Sequence, residues 1–395
     1  EDSGGSDPDP EFIFVASLVG DDSINIESES YLKASQIAVI PGEPNVASVS
    51  NNGELIHGES FSISGNEFGV KSPVEPEIWD DFDHYDLGQN IIEGEPVIGP
   101  SWSPYGTSPT IENNMSYSGD KSVFVNLDDG ITRFEHDFSP HQDKVFMSWW
   151  RYHESNPEEV INDVYCNEPY HYGVPGYDPD DCHNYKMLYL MGDQGTNGAS
   201  PQIMIGAIMF TRQNWMHAIQ GGNFEDASAN WISSYSYGQT LNSWQRWDTY
   251  SQMESGDFSL NDGVLDAWLS GQKVLNEHSY DYGEVPAQWK DVGIGALFRP
   301  RSVYTKFQSY FDDIYIDNTQ ARIEICDVSN WNSREESGAN CAIQIPHTTW
   351  DGSTIQFTAN QGSFVEGEDL YLFVIDSEGQ ASNGVPISFT QQMGC

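Results

Sequence analysis

Basic residues are scarce in this chain. Sixteen Lys and Arg stand against 61 Asp and Glu among 395 residues, a net charge of −45. Such a surface repels phosphate backbones and anionic lipid, which excludes nucleic-acid and membrane-surface binding as function classes. No apolar run reaches the ~18 residues that a membrane-spanning helix needs. Sustained i, i+3, i+4 apolar stripes are missing as well, while 36 Gly and 20 Pro punctuate short alternating runs. That is the pattern of an all-β chain. The sequence has no P-loop, dinucleotide fingerprint, G-x-S-x-G or H-E-x-x-H.

Cysteine is also sparse: Cys166, Cys182, Cys326, Cys341 and Cys395. Without CxxC spacing or a Cys/His zinc pattern, the two close pairs read as disulfides Cys166–Cys182 and Cys326–Cys341 of a secreted or cell-surface protein. The competing reading is reduced, buried thiols. Cys395 is left over, either free or intermolecular. The opening EDSGGSDPDP reads as a polar spacer left after processing.

Hydrophobic residues make up 38% and aromatics 13% of the chain, enough to build a core. The length suits two or three domains of ~100–200 residues. The acidity suits solubility in salty water and cation binding through carboxylates.

Residues 1–10 read as an acidic flexible tail and 11–44 as an N-terminal β segment. Its apolar run Glu11–Val19 is either an edge strand or a strand donated to the sheet of a neighbouring copy. Between Asn45 and Lys71 the chain carries Gly53, His57-Gly58-Glu59, Ile63-Ser64-Gly65 and Phe68-Gly69. This resembles the opening half of an immunoglobulin-like TIG (IPT) domain. Trp350–Phe357, the Gly362–Gly367 turn, Leu370–Ile375 and Ser382-Asn383-Gly384 resemble the closing half. Residues 45–77 and 326–395 are therefore expected to be TIG-like parts, with 78–325 inserted between or flanked by them.

The middle piece opens with IWDDFDHYD and closes with YFDDIYIDN. From Trp244 to Val274 it runs through a polar/aromatic strand, a Gly-Asp turn, and a second strand ending in a Ser-Gly hairpin. These features resemble concanavalin-A-like (laminin-G-like) jelly rolls, as in carbohydrate-binding modules and polysaccharide lyases. The resemblance implies an all-β sandwich whose first and last strands lie side by side. Asp80, Asp81, Asp312 and Asp313 would then form a hard-oxygen site suited to Ca²⁺, unless they are simply solvated. Asp178, Asp180 and Asp181 are a weaker second candidate. Asn114-Met115-Ser116 is a single glycosylation sequon.

Period-2 alternation groups Trp149, Arg151 and His153 on one strand face, and Trp244, Arg246, Asp248 and Tyr250 on another. Leu265, Ala267 and Leu269 look like core, which leaves Asp266 and Trp268 outward. The expected glycan-binding set is Arg151, His153, Arg246, Tyr250, Asp266 and Trp268. Aromatic rings stack on sugars, and Arg pairs bidentately with uronate carboxylates. In the competing reading the aromatics fill the space between sheets and the arginines pair with surplus acids.

Resemblance to jelly-roll lyases implies a Tyr or His proton acceptor with Arg, Gln or Asn neutralising the uronate. The candidates are His153, Arg151, Gln202 and Tyr304, with Lys306. The match is loose: PQIMIGA stands where an alginate-lyase-like family shows Gln-Ile-His, and YTKFQSYF only partly fits Tyr-Phe-Lys-x-Gly-x-Tyr. Paired carboxylates for a glucanase are not found in a strand context. The sequence expectation is therefore a secreted, non-catalytic, glycan-binding or adhesive protein. It would contact polysaccharide or cell-surface glycan, and copies of itself through Glu11–Val19 as a fibre subunit. The alternative is a polysaccharide lyase acting on uronate-containing glycans.

Overall fold

The computed structural model describes residues 42–126, 131–154, 184–193, 201–211, 214–223, 230–232, 242–253, 262–280, 287–298, 308–334 and 338–390. The chain divides into two units, Glu1–Gly42 and Glu43–Cys395. The second carries the fold. Glu11–Val19, Cys166, Cys182, Asp178, Asp180, Asp181, Tyr304, Lys306 and Cys395 lie outside the described residues. Among the described residues no helix is long and apolar enough to cross a membrane.

The described chain is almost entirely β. It begins with β1 (Asn45–Val49), β2 (Glu54–Leu55), β3 (Ser60–Asn66) and β4 (Ile78–Asp80). There follow β5 (Ser103–Gly106), β6 (Thr110–Glu112), β7 (Ser122–Asn126), β8 (Ile131–Gln142) and β9 (Lys144–Glu154). Next come β10 (Asn184–Gly192), β11 (Pro201–Thr211), β12 (Asn214–Asn223), β13 (Asn230–Ile232) and β14 (Trp244–Gln252). Then β15 (Gly263–Leu269), β16 (Gln272–Tyr280), β17 (Trp289–Phe298) and β18 (Gln308–Asp317) complete the middle piece. The last strands are β19 (Arg322–Cys326), β20 (Cys341–Trp350), β21 (Thr354–Thr358), β22 (Leu370–Ile375) and β23 (Val385–Phe389).

The middle piece is a jelly-roll-like sandwich of two antiparallel sheets. The outer sheet runs β13-β12-β11-β10-β17-β8-β5, and the middle sheet runs β16-β15-β14-β9-β18-β7-β6 with β4 on β18. Val145, Met147 and Trp149 of β9, Trp247 of β14 and Phe311 of β18 meet Phe134, Leu188, Val292 and Ile294 of the outer sheet in one core. The Trp149 and Trp247 rings stack in it with centroids 6.3 Å apart.

The two chain ends build a third layer. Its path is β1-β3-β21-β20-β19-β22-β23-β2, so strands almost 300 residues apart pair directly, as Ile63 with Ile355. Gly65 is required here, because a Cβ would lie 2.0 Å from the Asn45 carbonyl oxygen and 2.5 Å from the Phe68 ring. Cys326 and Cys341 are directly opposed on β19 and β20 and form a disulfide. The sequence reading placed Arg322–Ile325 with the middle piece. β19 pairs with β20 and β22 instead, so this terminal body begins four residues earlier.

The terminal body packs on the middle sheet, where Ile343 joins Trp79, Phe146, Tyr250 and Tyr315 in a second apolar cluster. The middle sheet is thus covered on both faces. This explains why β9, β14 and β18 are buried at nearly every position rather than at every second one. The polar residues in these strands are buried with them and need partners.

Candidate functional site

The register of β9 with β14 divides the six residues expected to form one glycan face. Trp149 pairs with Trp247, Trp150 with Arg246 and Arg151 with Gln245. Directly opposed residues share a face, so Arg151 and His153 point into the sandwich with Trp149. Arg246, Tyr250, Asp266 and Trp268 point toward the terminal body. His153 is 1% exposed and hydrogen-bonds Ser309 Oγ through Nδ1 at 2.7 Å. Tyr250 lies in the apolar cluster against Ile343. Asp266 pairs with Lys273 at 3.1 Å.

Arg246 belongs to a buried ion cluster. Its Nε donates to Asp248 at 2.8 Å and its Nη1 to Glu324 at 2.8 Å. Arg322 Nε donates to the other Glu324 oxygen at 2.6 Å. Burial raises the Glu324 carboxyl, but Arg246, Arg322 and Arg334 overcome it and hold the group far below the usual carboxylate range. The cluster joins middle sheet to terminal body. The expectation of an exposed glycan-binding Arg246 is corrected: the sheet face that carries it is covered.

The outer sheet keeps the face that the terminal body leaves free. On it Arg133 of β8 lies across Gly293 of β17, where a Cβ would come within 2.6 Å of Arg133 Cδ. Its guanidinium sits 4.2 Å from the Tyr105 ring centroid and 4.8 Å from that of Tyr189. Arg133 Nη2 pairs with Glu135, while Nε has no hydrogen-bond partner among the described residues. Burial pushes the Glu135 carboxyl up, with Arg133 opposing. The next register row runs Asp137, Asp291, Met191, Gln202 across β8, β17, β10 and β11. Burial raises Asp291, against a hydrogen bond from Lys290. Sequence reasoning missed Arg133. The available signal was Arg133-x-Glu135 on the polar face of ITRFEHDF, opposite the Gly-Ile-Gly of β17 that makes room for it. Of the lyase candidates, Gln202 stands on this sheet, whereas Arg151 and His153 face the sandwich interior from the middle sheet.

The Asp-rich segments are neighbours, with Asp80 directly opposite Ile314. Asp80 accepts from Trp102 Nε1 at 2.8 Å, Tyr85 OH at 3.0 Å and Phe82 N at 3.2 Å. Burial pushes its carboxyl up to about 8. Asp312 accepts from the backbone N–H groups of Tyr117, Ser118 and Asp313 at 2.7, 3.2 and 2.9 Å. Asp313 accepts from Ser118 Oγ at 2.7 Å, and its carboxyl is raised by burial, with Asp81 and Asp83 adding repulsion. Asp83 Oδ1 accepts from Asp120 N and Lys121 N at 2.8 and 2.9 Å. Gly119 (φ +53°) makes this approach possible, since a Cβ would lie 1.6 Å from Asp83 Oδ2. Asp80 and Asp312 thus act as hydrogen-bonded braces. Beside them, one ligand atom each of Asp80, Asp81 and His84 lies within 4.8 Å of the others.

No protein-family model matches the chain, and no curated protein sequence matches it. Among solved structures it is similar to an endo-β-1,4-glucuronan lyase from the fungus Trichoderma reesei, with 10% identity over 61% of this chain and 95% of that one and a TM-score of 0.39. It is also similar to an alginate lyase from Aplysia kurodai, with 12% identity over 54% and 88% of the two chains and a TM-score of 0.35. A third similar structure is an alginate lyase from Chlorella virus, with 10% identity over 54% and 90% and a TM-score of 0.36.

Proposed function

We propose that this protein binds uronate-containing polysaccharide on its outer sheet and cleaves it by β-elimination. The observation that carries the reading is the Arg133 cradle: a guanidinium held over Gly293 against two tyrosine rings, with Nε unpartnered among the described residues, on the sheet face that the terminal body leaves free. A planar fork of this kind suits a carboxylate.

Neutralising the uronate carboxylate acidifies the adjacent C5–H. A tyrosine phenolate beside it takes the C5 proton, the C4–O bond breaks with its electron pair leaving on oxygen, a C4=C5 double bond forms, and the phenol so made returns the proton to the leaving oxygen. Tyr105 is 46% exposed and next to the guanidinium, so the proton-transfer role falls to it. Tyr189, 7% exposed, forms the wall.

The test is ultraviolet absorbance of unsaturated uronate on incubation with glucuronan and alginate. Absorbance should rise, and Arg133→Ala or Tyr105→Phe should slow it by roughly 10²-fold or more. The second reading is binding without turnover, favoured by the pairing of Arg133 with Glu135, which occupies part of the guanidinium. A flat trace with retained, Arg133-dependent binding would establish that second reading. Absence of binding would end both. In either reading we take the protein to be secreted, since its polymeric ligand lies outside cells.

We further propose that the Asp-rich turn after β4, where ligand atoms of Asp80, Asp81 and His84 lie within 4.8 Å of one another, holds a structural Ca²⁺ at the start of the jelly roll. Adding Ca²⁺ to chelator-treated protein should raise its melting temperature, and Asp81→Asn should abolish the increment. An unchanged melt would contradict the assignment. We also read the terminal body as a TIG-like spacer.

A further inference from the structure

Three of the 16 basic residues meet two carboxylates where the middle sheet joins the terminal body. Arg246, Arg322 and Arg334 carry three positive charges against two negative ones on Asp248 and Glu324, leaving a surplus of one. All five residues are at most 4% exposed. Arg334 is the loosest. Its Nη1 stands 3.8 Å from Asp248 and 3.9 Å from Glu324, and its Nε has no partner among the described residues.

Arg334 borders a cleft of about 750 Å³. Lys273 and Arg322 also line it, against one carboxylate, Glu43. Two partly exposed tryptophans stand in its wall, each with a cation against its ring. Arg334 lies 4.0 Å from the Trp331 centroid, and Lys273 lies 5.1 Å from that of Trp268. Most of the remaining wall is amide and hydroxyl, including Asn332 and Gln380.

A buried, incompletely paired cation is costly unless an anion completes it. Aromatic rings beside amide groups are the surface that a sugar ring fits. We propose that this cleft binds an acidic sugar, with its carboxylate directed at Arg334 and its ring against the tryptophan wall. The site lies on the opposite side of the middle sheet from the outer sheet and does not depend on the cradle there. It would hold polymer to the protein without acting on it.

Isothermal titration of the full chain with an oligoglucuronate tests this, in an Arg133→Ala background that silences the outer sheet. One site should remain, and a neutral cello-oligosaccharide should not compete for it. Asn332 is exposed on a turn, so Asn332→Asp adds a negative charge to the wall without disturbing the core. It should weaken binding at least tenfold at an unchanged melting temperature, and Arg334→Met should weaken it similarly. Absence of heat in the Arg133→Ala background overturns the proposal, as does affinity indifferent to Asn332→Asp. Inorganic sulfate binding as tightly as the oligosaccharide would reduce the cleft to a bare anion site and overturn the sugar assignment. Failure of the outer-sheet reading appears separately, as turnover unaffected by Arg133→Ala.

Discussion

Replacing Glu324 by Gln tests how the terminal body is held to the jelly roll. Glu324 is fully buried, and both carboxylate oxygens accept hydrogen bonds from arginines, at 2.8 Å from Arg246 and 2.6 Å from Arg322. The substitution keeps the shape and removes the charge. Three guanidiniums then face Asp248 alone. Breaking a buried ion pair by removing one partner costs about 3–5 kcal/mol. A body of this size loses roughly 2–4 °C of melting temperature per kcal/mol, so the melt should fall by about 6–20 °C. Urea denaturation followed by tryptophan fluorescence should show the same loss. Combining Glu324→Gln with Arg322→Met restores the balance of charge and should recover part of it. A loss below about 1 kcal/mol, the value of an exposed pair, would mean that the Glu324 charge does not hold the two bodies together. Because the guanidiniums hold the Glu324 carboxyl far below its ordinary value, its contribution is present above the unfolded pKa. It should persist well into acid before being lost.

Two further outcomes follow from single residues. His136 is buried between the sheets, and burial lowers its pKa from 6.5 to about 4. Its contribution is complete above pH 6.5 and lost as pH falls toward about 4, with an upper bound of roughly 3 kcal/mol. Urea midpoints across that range should flatten in His136→Leu, and an identical slope in the variant would contradict this. Gly293→Ala places a methyl where Arg133 now lies. It should lower polyuronate binding about as much as Arg133→Ala while moving stability by less than about 2 kcal/mol. Full binding in Gly293→Ala would show that the guanidinium does not need its present seat.

Local pattern carried much of this architecture. Short alternating runs between Gly and Pro announced strands, and the opposed Cys326 and Cys341 fell in the expected pair. The motif Ile63-Ser64-Gly65…Phe68-Gly69 reflects a real contact, the Phe68 ring against a residue that has no Cβ. The Asp-rich ends of the middle piece met as neighbours because β4 pairs with β18.

Two things left no local trace. Alternation within β9 and β14 is visible, but their mutual register is not, and a slip of one residue exchanges faces. Arg151 pairs with Gln245 and Arg246 with Trp150, which is why the two arginines end on opposite sides of one sheet. The docking of the terminal body was equally hidden. Strands buried on both faces lose the polar-out rule, so buried, paired residues such as Arg246 and Asp266 looked like an exposed binding surface. Arg133 was overlooked for the converse reason: ITRFEHDF reads as an ordinary solvated strand until Gly293, Tyr105 and Tyr189 are seen around it.

The most direct measurement is a crystal structure of the Tyr105→Phe protein soaked with a uronate trisaccharide. A sugar carboxylate should lie on the Arg133 guanidinium, with the ring beside position 105 over the outer sheet. An outer sheet left empty while sugar occupies other surfaces would contradict this.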